Sequence, residues 1–500
     1  MVVSAIALAT LPLGASGAGA VVVSQRETVF SAPGLGRAVS VYAGTVVASG
    51  TGAVFVYNHG SGQWALETVL RPSDGVPSDG FGDALAIRGS FVVVGAPNAT
   101  VDGKPGAGAV YVFVRLPDGV TWFQYPRLTA PTPTAGAHFG AAVDTSAEVE
   151  VIAGAPGAGT ATVFFRFPLD DSPGVWFPIA QLAAPNLTGA QAIAAGFGAS
   201  VSLSGAQASV GAPDAAVVVP PGTMLGRAGR VFAFRSSGFA WAFDGEPRDS
   251  APRADGHFGR RVAENEGVFL VGIPGSLSLE GFTSGAPGVY TSLGRDLGGP
   301  GFGNSVGTDG MGIAGDPSAR AAYLYSLNPP VVGTIVPGSG PPADGFGASA
   351  DVEGTTAVVG APGAQAIHIF DVAPVATPDH ASVSTSGALS YAASGDVTGN
   401  FTIARTGGRV VAVTGAGRIG VAATHLPFVG FDLHAFGQSG LLAGEIRIRD
   451  YVTGFVHTFR ALSLVVPTAG TRVDGIALAF DASMRPPGPV VVRWTIDDLS

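Results

Sequence analysis

The chain has no cysteine in 500 residues and a single lysine, Lys104. Without cysteine there is no disulfide framework, no thiolate metal site and no cysteine nucleophile. The compartment stays open on that count, since secreted proteins also lack the residue. Charge is scarce: Asp, Glu, Lys and Arg make up 12% of the chain, about half the usual share. With 36 acidic against 26 basic residues the net charge is −10. A nucleic-acid binder carries a basic face, and nothing here exceeds the pair Arg260-Arg261, so nucleic acid is excluded as a general partner. Long apolar runs are missing as well. The candidate at Val2 to Leu13 contains Pro12 and runs into glycines, so a helical membrane anchor is the weakest reading of it. Ending at Ala18-Gly19-Ala20, residues 1–20 fit a signal peptide, although no Lys or Arg precedes Arg26. The rival reading takes LGASGAGAVVV as a worn copy of the repeat described next. No membrane span is expected in the mature chain.

What the chain has in abundance is glycine (76) and proline (37), beside a hydrophobic share of 46%. That much apolar area excludes intrinsic disorder. The apolar residues are mostly Val, Ala and Phe, with no heptads, a composition of short strands and many turns.

A repeat organises these residues. Aligned on the dipeptide FG, copies run from Phe81 to Pro97, Phe139 to Pro156, Phe197 to Pro213, Phe258 to Pro274, Phe302 to Pro317 and Phe346 to Pro362, most of them closing on GAP. A degenerate copy starts at Leu35, so seven starts between 35 and 346 have a mean spacing of (346 − 35)/6, about 52 residues. Each copy continues into a third apolar segment such as GAVYVF or GRVFAF. Several add a fourth led by Trp64, Trp122 or Trp176. Four short strands per unit of this length is the arithmetic of a β-propeller blade. The last copy ends near Ala373 without a fourth strand, and SQRETVFSAPG at 24–34 resembles an outer-strand tail. The expectation is an all-β chain: a seven-bladed propeller over 21–374 whose last blade is completed by residues from about 24–34. A linker at 375–388 then leads to a small β-sandwich or barrel at 389–500. There, segments such as GEIRIRD (Gly444 to Asp450) alternate with period two.

The FG…GAP pattern resembles the FG-GAP repeats of the integrin α-subunit head propeller and of many microbial surface proteins, over about 70% of the chain. In that family some blades hold calcium in an acidic loop between FG and GAP. Here that segment is a short hairpin, as in Ser204-Gly205-Ala206. The nearest candidates, Asp144 to Glu148 and Thr308-Asp309-Gly310, supply too few carboxylates, so no metal and no cofactor is expected. The resemblance also implies a ligand face, built from the loops before FG and after GAP. The candidate residues on it are Asp79, Asp102, Lys104, His138, Asp214, Asp255, His257 and Asp344, although Asp-Gly before FG is also ordinary turn chemistry.

Catalytic signatures are absent from the sequence. None of the eight histidines stands at metal-ligand spacing, and there is no nucleophile elbow and no P-loop. The expectation is therefore a non-enzyme, secreted or at the cell surface, that recognises or adheres to an unknown protein or glycan. The alternatives are a propeller-type glycan-cleaving enzyme, with carboxylates converging on the central channel, and a structural component of an envelope or matrix.

Overall fold

The structure, a computed structural model, describes residues 23–374 apart from short internal segments; of residues 381–497 it describes the strands and their register. The expected signal peptide at 1–20 lies outside the described residues, as do Asp309 and Gly310. The chain divides into two compact units, Met1–Pro374 and Val375–Ser500.

The first unit consists of seven four-stranded antiparallel sheets, with a two-stranded ribbon added in the fourth repeat. Blade 1 holds Val39–Tyr42, Thr45–Gly50, Ala53–Gly60 and Gln63–Leu70. Blades 2 to 6 follow the same order, from the innermost strand outward. Blade 7 takes three strands from Ser349–Glu353, Thr356–Ala361 and Ala366–Pro374, and its outer strand is Val23–Ser31. That strand pairs antiparallel with Ala366–Pro374, from Val23 opposite Pro374 to Ser31 opposite Ala366. The first described strand thus covers the edge that the last repeat would leave open. The ring is a seven-bladed β-propeller.

The repeat signature is explained at the seams between blades. The FG aromatics Phe81, Phe139, Phe197, Phe258, Phe302 and Phe346, and Leu35 in the degenerate copy, are all at most 1% exposed. Each aromatic meets a ring on the third strand of its own blade edge-on, as Phe139 does with Phe164 and Phe346 with Phe370. Burying each contributes roughly 2–3 kcal/mol. The two glycines of the signature face each other across the seam. A Cβ on Gly154, in the GAP of blade 3, would fall on the carbonyl oxygen of Gly198, in the FG of blade 4. The same collision recurs for Gly95 with Gly140, Gly211 with Gly259, Gly272 with Gly303, Gly315 with Gly347, and Gly360 with Gly36. All seven FG glycines also have left-handed φ between 79° and 96°, where a side chain is strained in any case. The apolar core lies between the blades: Val47, Val54 and Val56 of blade 1 pack with Phe81, Leu85, Val92 and Val94 of blade 2.

The second unit is a single antiparallel meander of eight strands in sequence order: Ala381–Tyr391, Ala393–Thr406, Arg409–Gly420, Val429–Gln438, Leu441–Asp450, Val456–Pro467, Arg472–Asp481 and Pro489–Asp497. Its first and last strands lie side by side, the arrangement of a barrel rather than of two stacked sheets. The expected linker at 375–388 overlaps the first strand. ASVSTSGALSY reads as a linker because serine dominates it, yet Val383, Leu389 and Tyr391 alternate with those serines at the period of a strand.

Candidate binding face

The inner strand of each blade starts just after FG and the second strand ends at GAP, so the loops flanking both motifs gather on one face of the disc. The most elaborate follows Pro213. There Val217–Val219 pairs with Thr223–Leu225 to make a ribbon, with Val218 opposite Met224 and the two exposed at 66% and 70%. Its base is tied to the next blade by the main chain. Asp255 N–H donates to the Gly226 carbonyl, His257 N–H to Arg227 and Phe258 N–H to Ala228, at 2.9, 3.1 and 2.8 Å. The equivalent tie joins blades 2 and 3, where Gly136, His138 and Phe139 donate to the carbonyls of Pro105, Gly106 and Ala107.

Three of the eight sequence candidates meet at the ribbon's base. Arg227, which the sequence did not single out, donates from Nε to Asp214 Oδ1 at 3.1 Å and holds Asp255 Oδ1 at 3.5 Å. Its Nη2 lies 3.3 Å from His257 Nε2, and His257 Nδ1 lies 3.1 Å from Asp214 Oδ1. Arginine can only donate, so Nε2 accepts and Nδ1 carries the proton toward Asp214. Arg227, Asp255 and His257 all have left-handed φ, at 51°, 54° and 58°. Asp and His tolerate that region; for Arg227 it is strain, maintained by the surrounding ion pairs.

The other candidates are placed separately. Asp102 is exposed, with a φ of 51°, in the turn where Val101 bridges to Lys104. Lys104 donates from Nζ to the Pro133 carbonyl at 2.7 Å. His138 shares the left-handed backbone of His257, but its Nδ1 faces the Pro97 carbonyl at 3.3 Å instead of a carboxylate. Asp79 accepts the Val76 N–H within its own short turn. Asp344 requires a correction. It is 1% exposed, and Arg320 grips both its oxygens, at 3.1 and 2.6 Å, while the Phe346 N–H also donates to it. Burial pushes its carboxyl up, but the Arg320 hydrogen bonds and the Phe346 N–H outweigh this and leave it below the usual carboxylate range. With its oxygens occupied, Asp344 ties the entry of blade 7 to blade 6 and presents nothing to a ligand.

The central channel holds a cavity of about 170 Å³ lined by the inner strands of all seven blades. Two carboxylates there stand five residues after FG, and both act across seams. Asp144 of blade 3 accepts from Ser202 Oγ and Leu203 N–H of blade 4, at 3.0 and 2.7 Å. Asp351 of blade 7 accepts from Ser40 Oγ and Val41 N–H of blade 1, at 2.9 and 3.0 Å. In each case the serine also accepts a main-chain N–H from the blade beyond, Glu264 or Ile87. Burial pushes the Asp144 carboxyl up, opposed by the Leu203 and Thr145 N–H groups, Arg88 and Ser202. In the sequence Asp144 reads only as part of a candidate calcium loop. The shared FG + 5 position of Asp144, Asp351, Ser40 and Ser202 was the signal for the seam role. Among the described residues no group of three or more His, Asp or Glu side chains is arranged to hold a metal ion, and no helix is long and apolar enough to cross a membrane.

The family model of the FG-GAP repeat matches residues 64–113, from the outer strand of blade 1 to the third strand of blade 2. Solved structures similar to the chain include a protein from Lactobacillus plantarum, 11% identical with a TM-score of 0.39, covering 67% of this chain and 88% of its own. A functionally unknown protein from Desulfotomaculum acetoxidans is 10% identical with a TM-score of 0.39, covering 62% and 86%. No curated protein matches.

Proposed function

We propose that this chain, an FG-GAP repeat protein folded as a seven-bladed β-propeller, is a non-catalytic recognition or adhesion protein outside the cell, binding its partner through the loop face over blades 4 and 5. The observation that carries the reading is the ribbon at 217–225, which sets Val218 and Met224 in solvent beside the Asp214–Arg227–Asp255–His257 cluster. Exposed apolar residues beside a charged cluster are the makings of an interface core and rim. Ile193 on the helix before blade 4, Leu277 after Pro274 and Leu297 at the end of the outer strand of blade 5 are exposed as well. These side chains are aliphatic, whereas exposed phenylalanines such as Phe177 and Phe239 stand on the outer strand of blade 3 and in the hairpin leading into the outer strand of blade 4. An aliphatic surface favours a protein partner over a glycan, which stacks on aromatic rings. The recognition reading is also supported against glycan cleavage by the channel carboxylates Asp144, Glu264 and Asp351, each engaged by hydrogen bonds across a seam.

The test is a binding screen of the protein against a surface-protein extract and a glycan array, beside the double variant Val218→Asp, Met224→Asp. Saturable binding to a protein is expected, weakened at least tenfold in the variant (about 1.4 kcal/mol or more) with its thermal melting unchanged. Binding that survives the double change would move the site off this face. Turnover of a polysaccharide would replace recognition with catalysis.

A further inference from the structure

In the second unit the strand register sorts the residues onto two faces of very different character. One row crosses all eight strands: Ala381, Ile403, Val413, Ala435, Gly444, Ala461, Ala479 and Val490, each opposite the next. A second row on the same face runs Val383, Phe401, Gly415, Leu433, Ile446 and Phe459. The ionisable residues on this face (Arg405, Asp450, His457 and Asp481) all stand within two residues of a strand end. The alternate face is polar at most mid-strand positions, with an apolar patch on the sixth and seventh strands where Leu462 stands opposite Leu478 and Leu464 opposite Ile476. Its corresponding row reads Ser382, Thr402, Thr414, His434, Glu445, Arg460, Phe480 and Pro489. Asp432 stands opposite Arg447 and Arg472 opposite Asp497, so residues of opposite charge share register positions.

Three further features agree with one environment. The strands are 9 to 14 residues long, against about five or six in an ordinary sheet. Ten residues at about 3.3 Å each, tilted near 45°, cover about 23 Å, the height of the apolar band on a barrel in a bilayer. The connections alternate in length. Residues 407–408, 439–440 and 468–471 join strands at one end of the sheet, and 392, 421–428, 451–455 and 482–488 at the other. Short turns at one end and mostly longer loops at the other are the pattern of a transmembrane barrel. The first and last strands lie side by side, as closure requires, and an even number of strands meandering in sequence order is the topology such barrels use. In water the apolar face would have to line the interior. It carries eight glycines (387, 395, 399, 415, 417, 437, 444 and 475), leaving the narrow space inside eight strands short of side chains to fill it.

We propose that residues 381–497 are a membrane-inserting β-barrel, anchored in a lipid bilayer by the continuous apolar band that the register assembles from all eight strands. The expectation of no membrane span rests on the lack of long apolar runs, and a two-residue alternation never produces one. The proposal stands independently of the loop-face reading.

The test uses the full chain refolded from urea into vesicles of phosphatidylcholine and phosphatidylglycerol. The protein is expected to float with the vesicles and to stay with them through an alkaline carbonate wash. Because the chain has no cysteine, single cysteines can be placed cleanly. One set is Val413→Cys, Leu433→Cys and Ala461→Cys; the other is Thr414→Cys, His434→Cys and Arg460→Cys. A fluorophore on the first set is expected to be quenched several-fold more strongly by nitroxide-labelled lipid than one on the second. Circular dichroism confirms that each variant is folded. A full chain that is monodisperse without detergent and stays at the bottom of the gradient overturns the proposal, and so does equal quenching of the two sets.

Discussion

Half-buried carboxylates are the most informative single residues of the propeller. Asp144 and Asp351 stabilise inter-blade geometry by accepting serine and main-chain protons from the next blade, a role that only their shared position five residues after the FG phenylalanine signals in the sequence. Glu150, in the second strand of blade 3, has its carboxyl pushed up to about 7 by burial, against the opposing hydrogen bond from Ser146. Its folded pKa exceeds the ordinary value of 4.5. The stability it contributes is therefore full below that value and is lost as pH rises to about 7, because the folded state holds its proton longer. Urea midpoints measured between pH 5 and 7.5 are expected to fall with pH in the wild type and to fall less in Glu150→Gln. Equal slopes would show that Glu150 titrates normally in the folded chain.

At the level of strands, the signature glycines are contacts as well as turn formers. Gly154 needs no unusual φ, yet a methyl group there meets the Gly198 carbonyl across the seam. Gly154→Ala is expected to destabilise the propeller by about 1–3 kcal/mol through overpacking between two backbones. Gly189, at the start of the helix Gly189–Ala194, has nothing within 4 Å of a Cβ, and Gly189→Ala is expected to be neutral or slightly stabilising. Urea unfolding of the two variants checks the contrast; similar losses in both would mean that the seam has room to relax. The spacing of FG and GAP is legible in sequence because the same collision recurs at six seams. The partner carbonyl in the next blade is not legible.

For the molecule as a whole, closure of the ring is the decisive event. Val23–Ser31 pairs with Ala366–Pro374 over nine residue positions, more than 300 residues apart in the chain. Removing residues 1–31 takes away the outer strand of blade 7 and exposes the long edge of Ala366–Pro374, an invitation to pairing between chains. The truncated protein is expected to lose several degrees of melting temperature and to form oligomers in size-exclusion chromatography, and a synthetic peptide of residues 23–31 should reverse both. A monomer with unchanged melting would mean that the inner strands alone hold the ring.

Local physics was readable from the chain alone. Glycine and proline at fixed offsets, an aromatic in six of the seven copies and two-residue alternation made the all-β class and the seven blades legible, because each recurs with the repeat. The turn chemistry of Asp255 and His257 was legible for the same reason. Tertiary structure alone decided which of these residues meet. Only the ring brings Arg227 to Asp214, Asp255 and His257, and only it buries Asp344 against Arg320. In the second unit, only the register joins the alternation of eight separate strands into one apolar band. The physical reason is common to all three: ion-pair partners, burial and continuity of a surface depend on distances between segments far apart in the chain, and no local pattern encodes those distances.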